Sequence, residues 1–296
     1  MALVQQMVYG KNFIDVSRYQ SGRIGKKIVN GPALGKTPLR QLRYQDKKSE
    51  RNCRYKLNMN FGGGDLFLTL SYPPYELIDF ATARKNINTF LDTVRKIYKR
   101  NGKKLKYIFV AGLTKRGMIH FHIVLNKFDT DVLTKAWQKI VGTENFKYPR
   151  VTIRHLDYSG EYKKLASYLI KNSREQFYGK EKVHKKRFCA SKNLIMPLVV
   201  KKIMKYNRFW KNIPKALTGY VIDKNSIYDG YGWADNGGCY ECCRVQRYTM
   251  YKTDCTNWNL YKSKYRKIFT DDDIPEIIEE WTEESHVKKR SKRGSL

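Results

Sequence analysis

The sequence predicts an α+β fold: an antiparallel β-sheet backed by helices, with a poorly defined C-terminal extension. Three observations predict it. Between residues 65 and 172, apolar runs of strand length alternate with segments of helical period. Two of the strand-like runs, Leu105–Leu113 and Met118–Leu125, are separated by a turn so short that they must pair antiparallel. The helical segments each carry a single apolar stripe, which has to be buried against another layer.

Taken in order, residues 1–60 are basic, rich in Gly, Asn and Gln, and show little regular periodicity. Asp65–Tyr72 reads as a buried strand stopped by Pro73-Pro74. A helix follows, because Ile87, Phe90, Leu91, Val94 and Ile97 recur at i, i+3, i+4 and i+7. Asn101-Gly102 ends it. In the hairpin, Lys115-Arg116-Gly117 suits a three-residue loop with Gly117 left-handed, a register that sets Leu113 opposite Ile119 and Gly112 opposite His120. Asp131–Val141 reads as a short helix capped by Asp129 or Thr130. Val151–Ile153 is a short strand and Gly160–Asn172 a helix. The order is β-α-β-β-α-β-α. Beyond residue 185 the pattern weakens. Val199–Trp210 has helical character, and 219–250 reads as short strands with a turn at Asp235-Asn236-Gly237-Gly238. The tail sets eight acids in 271–284 against the basic run Lys288–Arg293, a composition typical of solvated segments.

The composition narrows the partner. The 296 residues carry a net charge of +32, far more than solubility requires. The usual reason is a polyanion: nucleic acid, or less often an anionic membrane surface. Twenty-two tyrosines among these cations suit single strands, where bases stack on rings and cations follow phosphates. An AT-rich coding sequence would also enrich Lys and Tyr. No apolar run of 18 residues and no leading basic-then-apolar segment occurs, so no membrane partner is expected. Six cysteines in a chain of this length point to reducing cytoplasm rather than to a disulfide scaffold. Cys239, Cys242, Cys243 and Cys255 could offer four thiolates to zinc. The second half of a paired Cys-x-x-Cys signature is missing, however, which leaves a cysteine-rich strand pair as the plainer reading.

Two motifs carry chemistry. His120 and His122 stand two apart in a strand and so share a face, as a pair of metal-binding imidazoles would. By itself the pair reads equally as two polar residues on a solvated sheet face. On the last predicted helix, Tyr162, Leu165, Ala166 and Leu169 form the apolar stripe, which makes Tyr162 core. Tyr168 lies at its edge between Lys164 (i−4) and Lys171 (i+3). The two cations would favour phenolate and hold phosphate oxygens, as a phosphate-attacking tyrosine requires. The plainer alternative is a boundary tyrosine on an amphipathic surface helix.

The motifs together are more specific. Phe67-Leu68-Thr69-Leu70-Ser71-Tyr72-Pro73, then His120-Phe121-His122, then Tyr168-Leu169-Ile170-Lys171, in this order, resembles the HUH endonuclease superfamily. More narrowly, the chain looks like the rolling-circle replication initiators of bacterial plasmids and phages. The resemblance runs from about residue 60 to 230 and includes Ser191–Pro197 and Gly219–Asp223. It implies a ferredoxin-like HUH domain at 61–185, between a basic N-terminal region at 1–60 and a C-terminal extension with short strands at 186–260. A flexible charged tail at 261–296 completes the expected organisation.

The resemblance also implies a nickase and strand transferase. Tyr168 would attack a phosphate, leaving a 5′-phosphotyrosine and a free 3′-OH, with Lys171 stabilising charge. His120 and His122 would hold Mg²⁺ or Mn²⁺, and Lys164, Lys115 and Arg116 would contact DNA. The partners would be single-stranded or stem-loop origin DNA, with a host DNA polymerase and helicase, in the cytoplasm of a bacterial host. No helicase P-loop is visible in the chain itself. One departure stands out: the family commonly has an acid where this chain has Gly112. The site would then use two histidines and water, borrow Asp157 or Glu161, or bind metal weakly. A transposase or relaxase on the same fold, or a non-catalytic nucleic-acid-binding protein, are the alternatives.

Overall fold

The computed structural model describes residues 2–21, 39–73, 77–142, 151–204, 214–233 and 242–253, which form two antiparallel sheets and five α-helices. The α+β class is as the patterning predicts. The first sheet has the order β6 (Val151–His155), β3 (Leu66–Ser71), β5 (Ile119–Leu125), β4 (Tyr107–Leu113), β7 (Cys189–Ala190). The β4–β5 register sets Gly112 against His120 and Leu113 against Ile119, as the short loop requires, and Gly117 takes φ +78°.

This sheet is buried on both faces. Leu66, Leu68, Leu70, Phe109, Phe121 and Ile123 pack against α2 (Phe80–Arg100) and α3 (Thr130–Val141). Trp137 of α3 lies edge-on to Tyr72, Phe90 and Phe121 and donates its indole N–H to the Ser71 carbonyl at 3.2 Å. Both helices start at an aspartate whose carboxylate accepts two backbone N–H groups: Asp79 for α2 and Asp129 for α3. On the opposite face, Ile108, Val110 and Val124 meet α1 (Leu39–Asn60) and α4 (Lys163–Asn172).

The second sheet runs β10 (Tyr228–Trp233), β11 (Cys242–Lys252), β2 (Phe13–Ser21), β1 (Ala2–Tyr9), β8 (Leu198–Met204), with β9 (Tyr220–Ile222) also on β11. Here the structure departs from the patterning twice. Residues 1–60, which lack an obvious period, form β1, β2 and the 22-residue α1. In β1, Leu3 and Met7 are buried on one face and Val4 and Val8 on the other, so no alternation survives. In α1 the buried positions include Asp46, Arg54, Asn58 and Asn60, which hides the apolar stripe. Val199–Trp210, which has helical character in the sequence, supplies β8 up to Met204 because β1 offers a free edge to pair with. The short strands expected in 219–250 are present as β9, β10 and β11. The turn expected at 235–238, residues 261–296 and the Cys239 and Cys255 positions lie outside the described residues, as do the side chains of Cys242 and Cys243.

The two sheets are joined through α1. Arg54 is buried, and its guanidinium grips Glu161 with two hydrogen bonds of 2.7 and 2.6 Å while donating to Asp15 of β2 at 2.9 Å. The Tyr251 hydroxyl of β11 donates to Glu161 at 3.0 Å, and Thr249 donates to Asp15 at 2.7 Å. Phe13 lies under the guanidinium, 4.9 Å from its carbon to the ring centre. Burial alone would raise the Glu161 carboxyl pKa, but the adjacent guanidinium outweighs it and holds it below the ordinary carboxylate value. The sign follows: this stabilisation is present above the unfolded-state pKa of Glu161 and is lost as pH falls through the lower folded-state one.

Removing the cation strands two carboxylates. Arg54→Met is expected to destabilise the fold by about 3–5 kcal/mol in urea denaturation. Arg95→Met breaks the exposed α2 pair with Asp92 and is expected to change stability by less than about 1 kcal/mol. Equal losses in the two variants would contradict the clamp.

Candidate functional site

The cluster is built on the sheet face that α4 covers. Residues directly opposite on antiparallel strands share a face, and the register sets His122 between Val110 and Thr69, and His120 between Gly112 and Ser71. Phe67, two residues before Thr69, therefore lies on the same face. Thr69 Oγ1 is 3.0 Å from His122 Nδ1, and the Phe67 ring stacks on the imidazole at 5.6 Å between centroids. His120 and His122 are adjacent, their ring centres 4.8 Å apart.

Helix α4 brings the tyrosine. Its buried side is Ala166, Leu169 and Ile170, with Tyr162 just before the first turn also in the core. The helix start is pinned from two sides. The Tyr162 N–H donates to Asn58 of α1 at 2.9 Å, and the Lys163 N–H donates to Glu161 at 2.9 Å. Tyr168 then falls at the border of the buried stripe, 44% exposed, and its hydroxyl lies 3.2 Å from His122 Nε2. Phe67 meets the tyrosine ring edge-on. The nucleophile candidate is thus accessible on one side and held by an imidazole on the other. Lys164 and Lys171 are exposed on the same helix, and Lys115 and Arg116 are exposed in the β4–β5 turn.

Both imidazoles are kept neutral. Burial pushes His122 down to about 4, with the neighbouring His120 adding to the shift and Asn172 opposing it. Burial likewise lowers His120, with the Met118 backbone opposing. Neutral imidazole is the form that accepts a proton or binds a metal ion. The Nδ1 atom of His120 is buried and makes no well-formed hydrogen bond among the described residues. Both nitrogens of His122 face protein hydroxyls.

The acids considered as substitutes for a residue at 112 are elsewhere. Glu161 is bound by Arg54, Tyr251 and the Lys163 N–H. Asp157 accepts from the backbone N–H and hydroxyl of Ser159. Among the described residues no three His, Cys, Asp or Glu side chains come together in a way that could hold a metal ion. Gly112 explains the arrangement locally. A Cβ there would lie 2.6 Å from His120 Nε2 and 3.2 Å from the Asn172 carbonyl oxygen. The His120 ring fills the space that a side chain at 112 would enter.

Thr69, Phe67 and Asn172 are the members that motif reading passes over. Thr69 and Phe67 alternate with buried leucines in β3, so the period-2 pattern already puts both on one face. Which strand lies next to them is a matter of topology.

The packing at Gly112 can be tested directly. Gly112→Ala is expected to cost about 1–3 kcal/mol through overpacking. The same change in a His120→Ala background is expected to cost much less, and a urea-denaturation double-mutant cycle measures the difference. Additive losses would show that His120 does not occupy that space.

Comparison with known proteins bears on this stretch. No curated protein and no solved structure matches the chain. No helix among the described residues is long and apolar enough to cross a membrane. Residues 65–173 match the model of a family of replication-associated proteins, described by its ORF2 member. That similarity covers the segment from β3 through α4, the same segment that builds the histidine–tyrosine cluster.

Proposed function

We propose that the protein is a rolling-circle replication initiator of the HUH type that nicks one DNA strand with Tyr168. The observation that carries this reading is the 3.2 Å contact between the exposed Tyr168 hydroxyl and a buried, neutral His122. Similarity to a replication-associated family over the same residues supports it.

In this reading the His122 tautomer with its proton on Nδ1 donates to Thr69 Oγ1 and leaves the Nε2 lone pair facing the tyrosine. That lone pair takes the phenolic proton as the tyrosine oxygen bonds to phosphorus. The P–O3′ bond breaks, and the leaving oxygen takes a proton to become a free 3′-OH while the 5′-phosphate stays on Tyr168. The 3′-OH primes a host polymerase, with a host helicase opening the duplex. Lys164 and Lys171, one turn either side of Tyr168, offset charge on the phosphate oxygens. Lys115 and Arg116 in the exposed hairpin turn hold the flanking backbone.

Two neutral imidazoles, one with a buried Nδ1 that lacks a well-formed hydrogen bond, fit an ion that accepts nitrogen ligands, such as Mn²⁺. They fit Mg²⁺ poorly, because Mg²⁺ favours oxygen ligands. A bound ion would polarise the scissile phosphate.

The test is covalent capture. Wild-type protein with labelled single-stranded origin DNA and Mn²⁺ is expected to give a protein–DNA adduct on a denaturing gel. Tyr168→Phe is expected to give none, and His122→Ala to slow adduct formation by about 10²–10⁴-fold. Tight DNA binding without any wild-type adduct would instead mark a non-catalytic binding protein. An adduct that survives Tyr168→Phe would place the nucleophile elsewhere.

A further inference from the structure

The second sheet turns an unusual row of residues toward α1. The registers align Lys201 of β8 with Gln6 of β1, Gln6 with Ser17 of β2, and Ser17 with Arg247 of β11, giving one continuous cross-strand row. All four are polar, and both ends are cationic. A sheet face turned toward a helix is ordinarily apolar. The next row on the same face, Val4, Tyr19 and Val245, follows that rule. The polar row instead opens on a cavity of about 260 Å³ whose α1 wall carries Lys48 and Arg51. Four cations line this space, and no Asp or Glu does. Asp15, one row away, is already taken by Arg54 and Thr249. Glu161 is committed to the same guanidinium.

Four like charges around one small space repel one another, and an anion placed among them is attracted by all four. Two ammonium and two guanidinium groups, with the amide of Gln6 and hydroxyl of Ser17 between them, match a tetrahedral phosphate surrounded by donors. The cavity is too small for a duplex but takes a phosphodiester unit of a strand lying across its mouth. The net charge of +32 favours a polyanion over an isolated small anion.

We propose that this cleft is a second DNA contact, which holds the phosphodiester backbone away from Tyr168 and so sets the position of the strand on the protein. It needs DNA as the ligand but does not depend on nicking. The two ideas therefore fail separately: covalent capture tests one, and equilibrium binding tests the other.

The test is salt-dependent DNA binding, read by fluorescence anisotropy with a labelled single strand and with a duplex of equal length. The variants are Lys48→Ala/Arg51→Ala and, separately, Lys201→Gln. Each phosphate contact removed is expected to lower the slope of log K against log salt by about 0.9 on duplex or about 0.7 on single strand. The double variant is therefore expected to lose roughly twice as much slope as Lys201→Gln, and its affinity at physiological salt to fall by about tenfold or more. The probe showing the larger loss identifies the form of DNA held. Lys201 is exposed on the sheet's edge strand, so its replacement leaves the core intact and decides the matter even if the double variant does not fold. Wild-type slopes with both probes, or weaker binding with an unchanged slope, would overturn the proposal.

Discussion

Arg54 lies on a helix whose two sides face different sheets, and its guanidinium is shared between Glu161 before α4 and Asp15 in β2. A buried ion pair of this kind is no cheap source of stability, since each ion loses its water. Its value is positional. Once the cation is inside, both carboxylates must come to it, and with them come the strand that anchors the second sheet and the turn that starts α4. Asn58, one turn further along α1, then fixes the Tyr162 N–H. Tyr168 follows in the second turn of the same helix. Where Tyr168 meets the sheet is therefore decided by a contact that lies outside the histidine cluster.

The cluster itself is governed by burial. His122 is 4% exposed, stacked on Phe67 and hydrogen-bonded at both nitrogens, and its pKa falls accordingly. A charged imidazole in that place would be unstable, so the ring is kept in the form that can accept a proton. Gly112 completes the arrangement by leaving space for the His120 ring. Absence of an acid at 112 is thus matched by a packing feature: the imidazole takes the volume, and His120 Nδ1 is left without a well-formed hydrogen bond among the described residues.

Helix α1 also explains why polar surface recurs in the interior. Its side toward α4 carries Cys53 and Leu57 and packs as an ordinary core. The side toward the second sheet carries Lys48 and Arg51 over a row of polar strand residues. One helix thus presents an apolar seam to one neighbour and a cationic wall to the other, which accounts for its low overall hydrophobicity.

The hairpin with its register, the aspartate caps of α2 and α3, the shared face of His120 and His122, and the border position of Tyr168 are all legible in the sequence. Each depends on local rules: loop length, capping chemistry, and periods of 2 and 3.6 residues. The second sheet is not legible, because strands buried on both faces lose their alternation and because β1 and β2 pair with strands nearly two hundred residues away. Nor is the Arg54 clamp, whose partners come from three separate parts of the chain. The same holds for Thr69 beside His122, for the imidazole that fills the space at Gly112, and for the commitment of Glu161 and Asp157 elsewhere. Local sequence determines which residues share a face. Only the tertiary structure decides which faces meet, because that choice is made by long-range pairing and by the need to satisfy buried charge.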